Sequence, residues 1–177
     1  AIVSIVVLAL IYTSGIFCEF FAPYDAETYN DQFSYAPPQR IRFRTPEGFS
    51  LRPVVFGFDM TRDPETLRRM YEPSPEKVYP IRFFVRGSDY KLLGLFPTNL
   101  RLFGVEEGTV FLLGTDRMGR DILSRVLYGT RVSTTIGLVG VFISLILGIS
   151  IGGVAGFFGG ALDTVVQRVI EYLRSIP

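Results

Sequence analysis

The sequence contains no histidine, no tryptophan and only one cysteine, Cys18. Histidine is the commonest metal ligand and a frequent general base, and zinc sites need several closely spaced Cys or His residues. A single cysteine makes no internal disulfide. These absences count against zinc enzymes and most hydrolases, and we expect no catalytic residue, no metal site and no cofactor in this chain.

Other absences narrow the function classes further. The formal net charge is +1, so no basic field indicates a nucleic-acid partner. No G-x-x-x-x-G-K-[ST] motif occurs, so the chain is not predicted to bind ATP through a P-loop. The acid pairs Asp59 with Asp63 and Glu106 with Glu107 have no histidine partner, and we interpret them as solvated surface groups. We therefore predict that the chain is not an enzyme.

Charged side chains are missing from two long stretches, residues 1–18 and 132–162, and most Lys, Arg, Asp and Glu lie between them. A globular protein spreads charge over its surface, whereas a membrane protein confines charge to segments that meet water. The pattern predicts a membrane protein with a water-exposed middle part. Because the chain starts with Ala and ends in an apolar-rich run, we expect a fragment cut at both ends.

The first apolar stretch is long enough to cross a bilayer. A hydrocarbon core of about 30 Å needs about 20 helical residues. Residues 1–21 supply that length, are rich in Ile, Val and Leu, and stop before Pro23. The alternative is a cleavable signal peptide, or a lipoprotein signal ending at Cys18. No positive leading region is visible and Phe17 stands where a lipoprotein signal needs a small residue, so we prefer a retained first transmembrane helix.

The second stretch is too long for one straight span, and its glycines suggest where it divides. We predict a span over residues 131–155, a turn over residues 156–160 and a third helix from about residue 161. Gly148, Gly152 and Gly156 repeat at four-residue spacing. In lipid, such small-residue ladders let helix backbones approach closely, so these three glycines are predicted to pack against another helix.

The third helix is predicted to be amphipathic, because apolar and ionisable residues alternate at helical spacing after residue 161. Arg168, Glu171 and Arg174 carry its charge, and Arg168 and Glu171 are spaced to pair. A membrane helix with so many ionisable groups points them toward other subunits, water or a pathway. Pairing on a helix that lies at the membrane surface is the alternative, and the sequence leaves both open.

Residues 22–110 are predicted to form a small α+β domain outside the lipid. Residues 41–44 and 49–52 alternate in polarity around a Pro-Glu-Gly turn, which predicts a hairpin. Asp63-Pro64-Glu65 has the features of a helix start, so a short helix is expected to about Tyr71. Residues 81–86 and 90–93 flank Gly87-Ser88 and predict a second hairpin.

A glycine-bracketed segment, FLLGTDRMGRDILSR, precedes the second span at residues 111–125. Gly114 and Gly119 bracket a tight polar turn in which Thr115 or Asp116 can bond nearby backbone amides. From Arg120 onward the apolar residues share one helical face. We therefore predict an ordered turn followed by a helix along the membrane surface to residue 130.

This segment resembles a known family. The string LGTDRMGRDILSRVLYGTRVSTTIG is similar to the signature before the second span of C-type permease subunits in the dipeptide/oligopeptide/nickel ABC importer family. GFFGGALDTVVQRVIEYLRSIP is similar to the third-helix region of the same family, so the resemblance covers residues 111–177. The signature positions that it identifies are Gly114, Thr115, Asp116, Gly119, Arg120, Asp121, Ser124, Arg125, Gly129 and Arg131.

The resemblance implies a mainly α, polytopic membrane protein with the type I ABC importer permease fold, truncated here, and residues 22–110 as an insert longer than the family's standard loop. It implies a place in the bacterial inner membrane and half of a translocation pathway for peptides or similar small solutes. The implied partners are a second homologous permease subunit, two ATPase subunits, an extracytoplasmic substrate-binding protein and the lipid bilayer. The family's ATPase-docking loop is expected beyond residue 177.

The family implies a cytoplasmic N-terminus and an external insert. That insert is a candidate to dock the binding protein, and the alternative is an insertion with no docking role. Arg117, Arg120, Arg125 and Arg131 then cluster at the outer end of the second span, against the positive-inside tendency. Long loops translocate largely regardless of charge, which softens the conflict. Two alternatives remain: a membrane-anchored sensor with an external ligand-binding domain, and a membrane-bound or secreted enzyme.

Overall fold

The computed structural model describes residues 2–46, 48–62, 64 and 69–175. The chain divides into two compact units, Ala1–Val132 and Ser133–Pro177. The first unit carries the N-terminal helices, all five strands of the described residues and the start of the long third helix. The second unit carries the rest of that helix and a fourth helix.

The first apolar stretch forms two consecutive helices, α1 (Ile2–Ile16) and α2 (Cys18–Phe21), separated at Phe17. The Ser14 hydroxyl donates to the Ile11 carbonyl oxygen at 2.8 Å, a side-chain bond that commonly bends helices. Ala22 is extended, as expected for a residue before proline. The end of the predicted helical segment at Phe21 is therefore confirmed, and the break at Phe17 is new.

Three strands form an antiparallel sheet in the order β1 (Arg42–Thr45), β2 (Gly48–Arg62) and β3 (Arg69–Pro80). The first predicted hairpin is confirmed, because Arg44 pairs with Phe49 and Thr45 pairs with Gly48. Glu47, the remaining residue of that turn, lies outside the described residues.

The expectation of a short helix after Asp63 is wrong where it can be judged. Residues 63 and 65–68 lie outside the described residues, but 69–71 belong to β3 rather than to a helix. Met70 and Tyr71 pair with β2, and the Tyr71 ring packs against Phe58 at a centroid distance of 5.7 Å. Pairing and packing thus override the local helix-start signal. In the described part of residues 22–110, the helical structure is limited to one 3₁₀ turn, Asp31–Phe33.

The second predicted hairpin is also wrong in its turn position. Residues 81–93 do not fold back at Gly87-Ser88, because β4 (Arg82–Leu92) runs through them and pairs with β5 (Phe96–Gly104). Gly87 and Ser88 lie in a register shift between Arg86 and Tyr90. The chain turns instead at Leu93 and Gly94, whose φ angles of 56° and 73° are the combination that type I′ hairpin turns need.

Two buried clusters form the core of the first unit. One contains Ala36, Phe58 and Phe111, and the other contains Val55, Ile81 and Val110. Tyr24 packs against both clusters. The core therefore joins the two sheets to the segment after α2 and to the segment before the third helix.

The third helix, α3 (Ile122–Phe158), is longer than the predicted span and has no break near residue 131. The expected interfacial helix and second span are thus parts of one helix of 37 residues, about 55 Å long at 1.5 Å per residue. Among the described residues, α3 is the one helix long and apolar enough to cross a membrane. α1 is also apolar, but its 15 residues are fewer than a helix needs to cross the hydrocarbon core.

The expected turn over residues 156–160 shrinks to one residue between two helices. α3 continues to Phe158, and α4 spans Gly160–Arg174, which confirms the predicted third helix. Gly159 and Gly160 have φ angles of 58° and 57°, a region that favours glycine. Asp163 in the first turn of α4 and Arg174 in the last turn complement the helix dipole.

Candidate functional site

The glycine-bracketed segment folds into a tight turn around the side chain of Asp116, and we call residues 114–121 the signature turn. The Asp116 carboxylate accepts hydrogen bonds from the backbone N–H groups of Met118 at 2.8 Å and Arg120 at 3.0 Å. It also accepts from the Arg120 guanidinium at 2.8 Å and from Arg125 Nη1 at 2.6 Å. One carboxylate therefore closes the turn and ties it to the first turns of α3.

The pKa of Asp116 follows from these contacts. Partial burial raises it, but the hydrogen bonds from Arg120 and Met118, together with the positive charge of Arg120, lower it by more. The net pKa is lower than the ordinary aspartate value of 3.8. The carboxylate is thus ionised under all physiological conditions, as its role as a fourfold acceptor requires.

Asp121 begins α3. Its carboxylate accepts from the Ser124 backbone N–H at 2.8 Å and from the Ser124 hydroxyl at 2.7 Å, which is helix N-capping geometry. Ser124 is fully buried, and its hydroxyl oxygen accepts from the Tyr24 backbone N–H at 3.2 Å. Burial raises the pKa of Asp121, although the bonds from Ser124 oppose the rise. The helix start is thereby fixed to the end of the first apolar segment.

A second chain segment, residues 30–39, lies against the signature turn. The Thr115 hydroxyl oxygen accepts from the Ala36 backbone N–H at 2.8 Å and donates to the Phe33 carbonyl oxygen. The Thr115 backbone N–H donates to the Ala36 carbonyl oxygen at 3.0 Å. A side chain at Gly119 would collide with the Asn30 backbone, and one at Gly114 would lie 2.6 Å from the Ala36 carbonyl oxygen. Both glycines are therefore required by close backbone approach.

Arg131 connects α3 to the first apolar helices. Its guanidinium pairs with both carboxylate oxygens of Glu19 and donates to the Gly15 carbonyl oxygen at 2.9 Å and to the Ile16 carbonyl oxygen at 2.6 Å. The break at Phe17 leaves carbonyl groups at the end of α1 without helical partners, and Arg131 satisfies two of them. The sequence singled out Arg131, but not its partner. The available signal was Glu19, an acid inside an apolar run.

Arg101 was missed by the sequence analysis. This buried arginine of β5 donates to the Ala22 carbonyl oxygen at 2.8 Å, to Asp25 at 3.2 Å and to the Ser88 hydroxyl at 2.9 Å. Its guanidinium also lies 5.0 Å from the centre of the Tyr90 ring. The available signal was an arginine placed between Leu100 and Leu102 in an alternating strand, but such residues are usually exposed.

The other predicted residues are not among those that bond to one another in this cluster. Gly129 is a helical residue of α3 with open space around the position of a side chain. In the second unit, a side chain at Gly148, Gly152 or Gly156 would likewise meet nothing within 4 Å. In α4, Arg168 pairs with Glu171 at 2.9 Å, and both side chains are exposed. These residues therefore do not form part of the signature-turn network.

Comparison with known proteins gives this cluster a context. The family model for the N-terminal TM domain of oligopeptide transport permease C matches residues 1–38. The dipeptide transport system permease protein DppC of Haemophilus influenzae is 49% identical over 67 residues, which are 38% of this chain and 23% of that protein. Over these matched residues, the chain is similar to the C-type permeases of peptide ABC importers.

Further similar proteins are also C-type permeases. DppC of Bacillus subtilis is 42% identical over 64 residues, 36% of this chain and 20% of that protein. The oligopeptide transport system permease protein OppC of Haemophilus influenzae is 36% identical over 95 residues, 54% of this chain and 28% of that protein. The matches thus span about a quarter of these C-type permeases. No solved structure matches the chain.

Proposed function

We propose that the chain works as part of a permease subunit in the bacterial inner membrane that imports peptides or similar small solutes. In this proposal it forms half of the translocation pathway with a second homologous permease subunit, in the type I ABC importer fold. Two ATPase subunits and an extracytoplasmic substrate-binding protein complete the importer. The observation that supports the proposal is the signature turn, which hydrogen-bonds to residues 30–39 and caps the apolar helix α3, in a chain similar to DppC.

The proposed domain layout follows from the same features. Residues 1–21 form the first transmembrane helix, residues 22–110 the external insert, residues 111–130 the signature turn and the membrane-surface start of α3, and residues 131–177 the start of the transmembrane domain. The signature residues then act structurally, by fixing where α3 enters the lipid. Arg168, Glu171 and Arg174 are assigned to pathway or subunit contacts, because paired charges on a membrane helix need protein or water around them.

The import function is tested by peptide uptake. Cells carrying the complete transporter and cells lacking only this gene are compared for accumulation of a radiolabelled dipeptide and of a free amino acid. We expect loss of dipeptide uptake with unchanged uptake of the amino acid. Unchanged dipeptide uptake would refute the peptide importer, and a loss of both would indicate a general membrane defect.

The proposed topology places the insert outside the cell. A cysteine introduced by Leu51→Cys is suitable for labelling because Leu51 is 90% exposed, whereas the native Cys18 is buried. With Cys18 replaced by alanine, we expect a membrane-impermeant maleimide to label the Leu51→Cys variant in intact cells. Labelling only after cell rupture would reverse the topology.

We also propose that the insert docks the substrate-binding protein. Supporting this role, Phe49 and Leu51 on the β1–β2 hairpin are 76% and 90% exposed, although both are large and apolar. The double change Phe49→Ser and Leu51→Ser is expected to weaken binding-protein association without changing membrane insertion. Val165→Ser in α4 is the matched apolar-to-polar control, and equal association of the double variant and the wild type would refute docking at this hairpin.

A further inference from the structure

A polar cleft opens between the signature turn and the segment that lies against it. Its volume is about 770 Å³, and it is lined by Asp31, Ser34, Tyr35, Arg69 and Arg117. Clefts that bind small molecules typically have volumes of about 300–1,000 Å³. This cleft is therefore large enough for a small ligand, and we call it the arginine cleft.

Hydrogen bonds hold the backbone around the arginine cleft in place. The Tyr35 backbone N–H donates to the Asp116 carbonyl oxygen at 3.0 Å. The Ser34 hydroxyl donates to the Arg117 carbonyl oxygen, and the Tyr71 hydroxyl lies 2.8 Å from the Ser34 carbonyl oxygen. The cleft is therefore formed before a ligand arrives, and a preformed site loses less conformational entropy on binding.

The Tyr35 ring is held at the cleft by an unusual backbone conformation. Tyr35 has a φ of 58°, in the left-handed region that bulky residues rarely adopt, and it is 69% exposed. Strained backbone of this kind clusters at functional sites. Because the ring is mostly exposed, its burial does not account for the strain. The conformation indicates instead that the ring contacts a ligand.

The charges that line the arginine cleft do not neutralise one another. None of Asp31, Arg69 and Arg117 takes part in an ion pair with another residue that the structure describes. The Arg69 guanidinium donates to the Asp31 carbonyl oxygen, which leaves other N–H groups for a further acceptor. Two guanidinium groups and one carboxylate group therefore line a single cleft and are available to a ligand.

We propose that the arginine cleft binds a short zwitterionic peptide by both of its ends. The C-terminal carboxylate pairs with Arg69 and Arg117, since guanidinium and carboxylate groups form strong, charge-assisted hydrogen bonds. The N-terminal ammonium group pairs with Asp31, and the Tyr35 ring packs on an apolar side chain of the peptide. This inference rests on the proposed function, because it gives the imported peptide a binding site on this chain.

The combination of charges favours a peptide over other anionic ligands. A simple anion such as phosphate would use only the two arginines and would be repelled by Asp31. An acidic patch on a protein surface would meet the same repulsion, and concave clefts are typical of small-molecule sites. A zwitterion satisfies all three charged groups at once.

Calorimetric titration with the dipeptide alanylphenylalanine tests this inference. The complete transporter is reconstituted in lipid nanodiscs without the substrate-binding protein. We expect the dipeptide to bind the wild type and to bind Arg117→Gln about tenfold more weakly, because the carboxylate loses one of its two partners. Arg86→Gln is the matched control and should bind like the wild type, since Arg86 is an exposed arginine of β4 that does not line the cleft.

Two modified dipeptides test which end of the peptide pairs with which residue. The C-terminally amidated dipeptide should bind the wild type about tenfold more weakly, and Arg117→Gln should weaken its binding no further. The N-acetylated dipeptide should also lose affinity for the wild type, and Asp31→Asn should weaken its binding no further. Additive losses would overturn these pairings.

The outcomes separate a failure of this inference from a failure of the proposed function. Equal dipeptide affinity of wild type, Arg117→Gln and Asp31→Asn, or no binding to the wild type, would overturn the inference, while normal dipeptide uptake by cells would still support the importer. Phosphate binding that depends on Arg117, without dipeptide binding, would make the cleft a simple anion site and overturn the inference.

A protein ligand is the remaining outcome. Weaker association of the substrate-binding protein with Arg117→Gln than with Arg86→Gln, without dipeptide binding, would assign the cleft to that protein and overturn the inference. Absence of both dipeptide binding and dipeptide uptake would refute the inference and the proposed function together.

Discussion

At the scale of single residues, Asp116 holds the signature turn together. Its carboxylate combines two backbone bonds with two guanidinium contacts, so one side chain orders both the turn and the first turns of α3. Hydrogen bonds to charged groups are individually stronger than neutral ones. Replacing Asp116 should therefore disturb the position of the start of α3 as well as lower the stability of the fold.

Asp116→Ala removes both acceptor oxygens and with them all four hydrogen bonds, and we expect a destabilisation of about 2–3 kcal/mol, as for loss of a charged hydrogen-bonding network. Asp116→Asn keeps one oxygen for the Met118 and Arg120 amides but loses the charge, so its effect should be smaller. The measurement is thermal unfolding in detergent. An alanine variant as stable as wild type would contradict this role.

The two aspartates of the signature turn should respond to acid in opposite ways. The folded pKa of Asp116 is lowered, so its stabilising contribution is present above its unfolded pKa and is lost as pH falls through the folded pKa. The folded pKa of Asp121 is raised, so its ionised form opposes folding as pH rises through that value. As pH falls toward about 4, the free energy of unfolding of the wild type should rise relative to that of Asp121→Asn. Below about pH 4, it should fall relative to that of Asp116→Asn. Changes of the same sign in these two stability differences would contradict the opposite pKa directions of Asp116 and Asp121.

Two glycines of the same region form a matched pair for testing the turn. Gly119 has a φ of 72°, and a Cβ added there would collide with the Asn30 backbone. We therefore expect Gly119→Ala to lower the free energy of unfolding by roughly 1–3 kcal/mol or more. Gly129→Ala lies in α3 with open space around it, so it should be neutral or stabilise by about 1 kcal/mol. Thermal unfolding of both variants decides. Equal effects would mean that close packing on residues 30–39 is not what requires Gly119.

At the scale of elements, the Glu19–Arg131 contact joins α3 to the end of α1. Glu19 is 6% exposed, so removing Arg131 leaves the Glu19 carboxylate buried without its positive partner. Leaving a buried charge unpaired is strongly destabilising. We expect Arg131→Gln to be more destabilising than the double change Glu19→Gln with Arg131→Gln, in thermal unfolding. The charge swap Glu19→Arg with Arg131→Glu should not restore stability, because a glutamate cannot donate to the Gly15 and Ile16 carbonyl oxygens. Full rescue of stability by the swap would show that the contact acts only as an ion pair.

The glycine face of α3 gives a second prediction at this scale. Because nothing in the second unit fills the space at Gly152, the change Gly152→Leu should leave the helix itself intact. If this face packs on another helix, the variant should co-purify less with the second permease subunit, since a leucine prevents close backbone approach. Val154→Leu is the control in the same helix. Equal co-purification of wild type and Gly152→Leu would reject the packing role.

At the scale of the whole molecule, the sequence predicted best where the signal is local or compositional. The apolar stretches, the β1–β2 hairpin, the amphipathic α4 and the polar turn around Asp116 all depend on patterns within about twenty residues, and the structure confirms each as an element. The domain limits at residues 22–110 and 111–130 stay predictions. The resemblance to C-type permeases, based on residues 111–177, is confirmed by relatives such as DppC.

The structural features that the sequence predicted wrongly or missed all depend on contacts between residues far apart in the chain. Gly87 and Ser88 look like a turn, but the side chain of Arg101 occupies the space beside them, and its hydrogen bond to Ser88 keeps β4 extended. Residues 69–71 look like a helix end, but pairing with β2 draws them into a strand. The partnership of Glu19 with Arg131 joins residues far apart in sequence. None of these contacts leaves a local pattern.

The central claim is that the chain is embedded in a membrane through residues 1–21 and α3. Alkaline carbonate extraction of cell membranes tests it most directly, because this treatment removes peripheral proteins and leaves integral ones in the pellet. The account predicts that the chain stays in the pellet and is released only by detergent. Recovery of the folded chain in the carbonate supernatant would contradict the account.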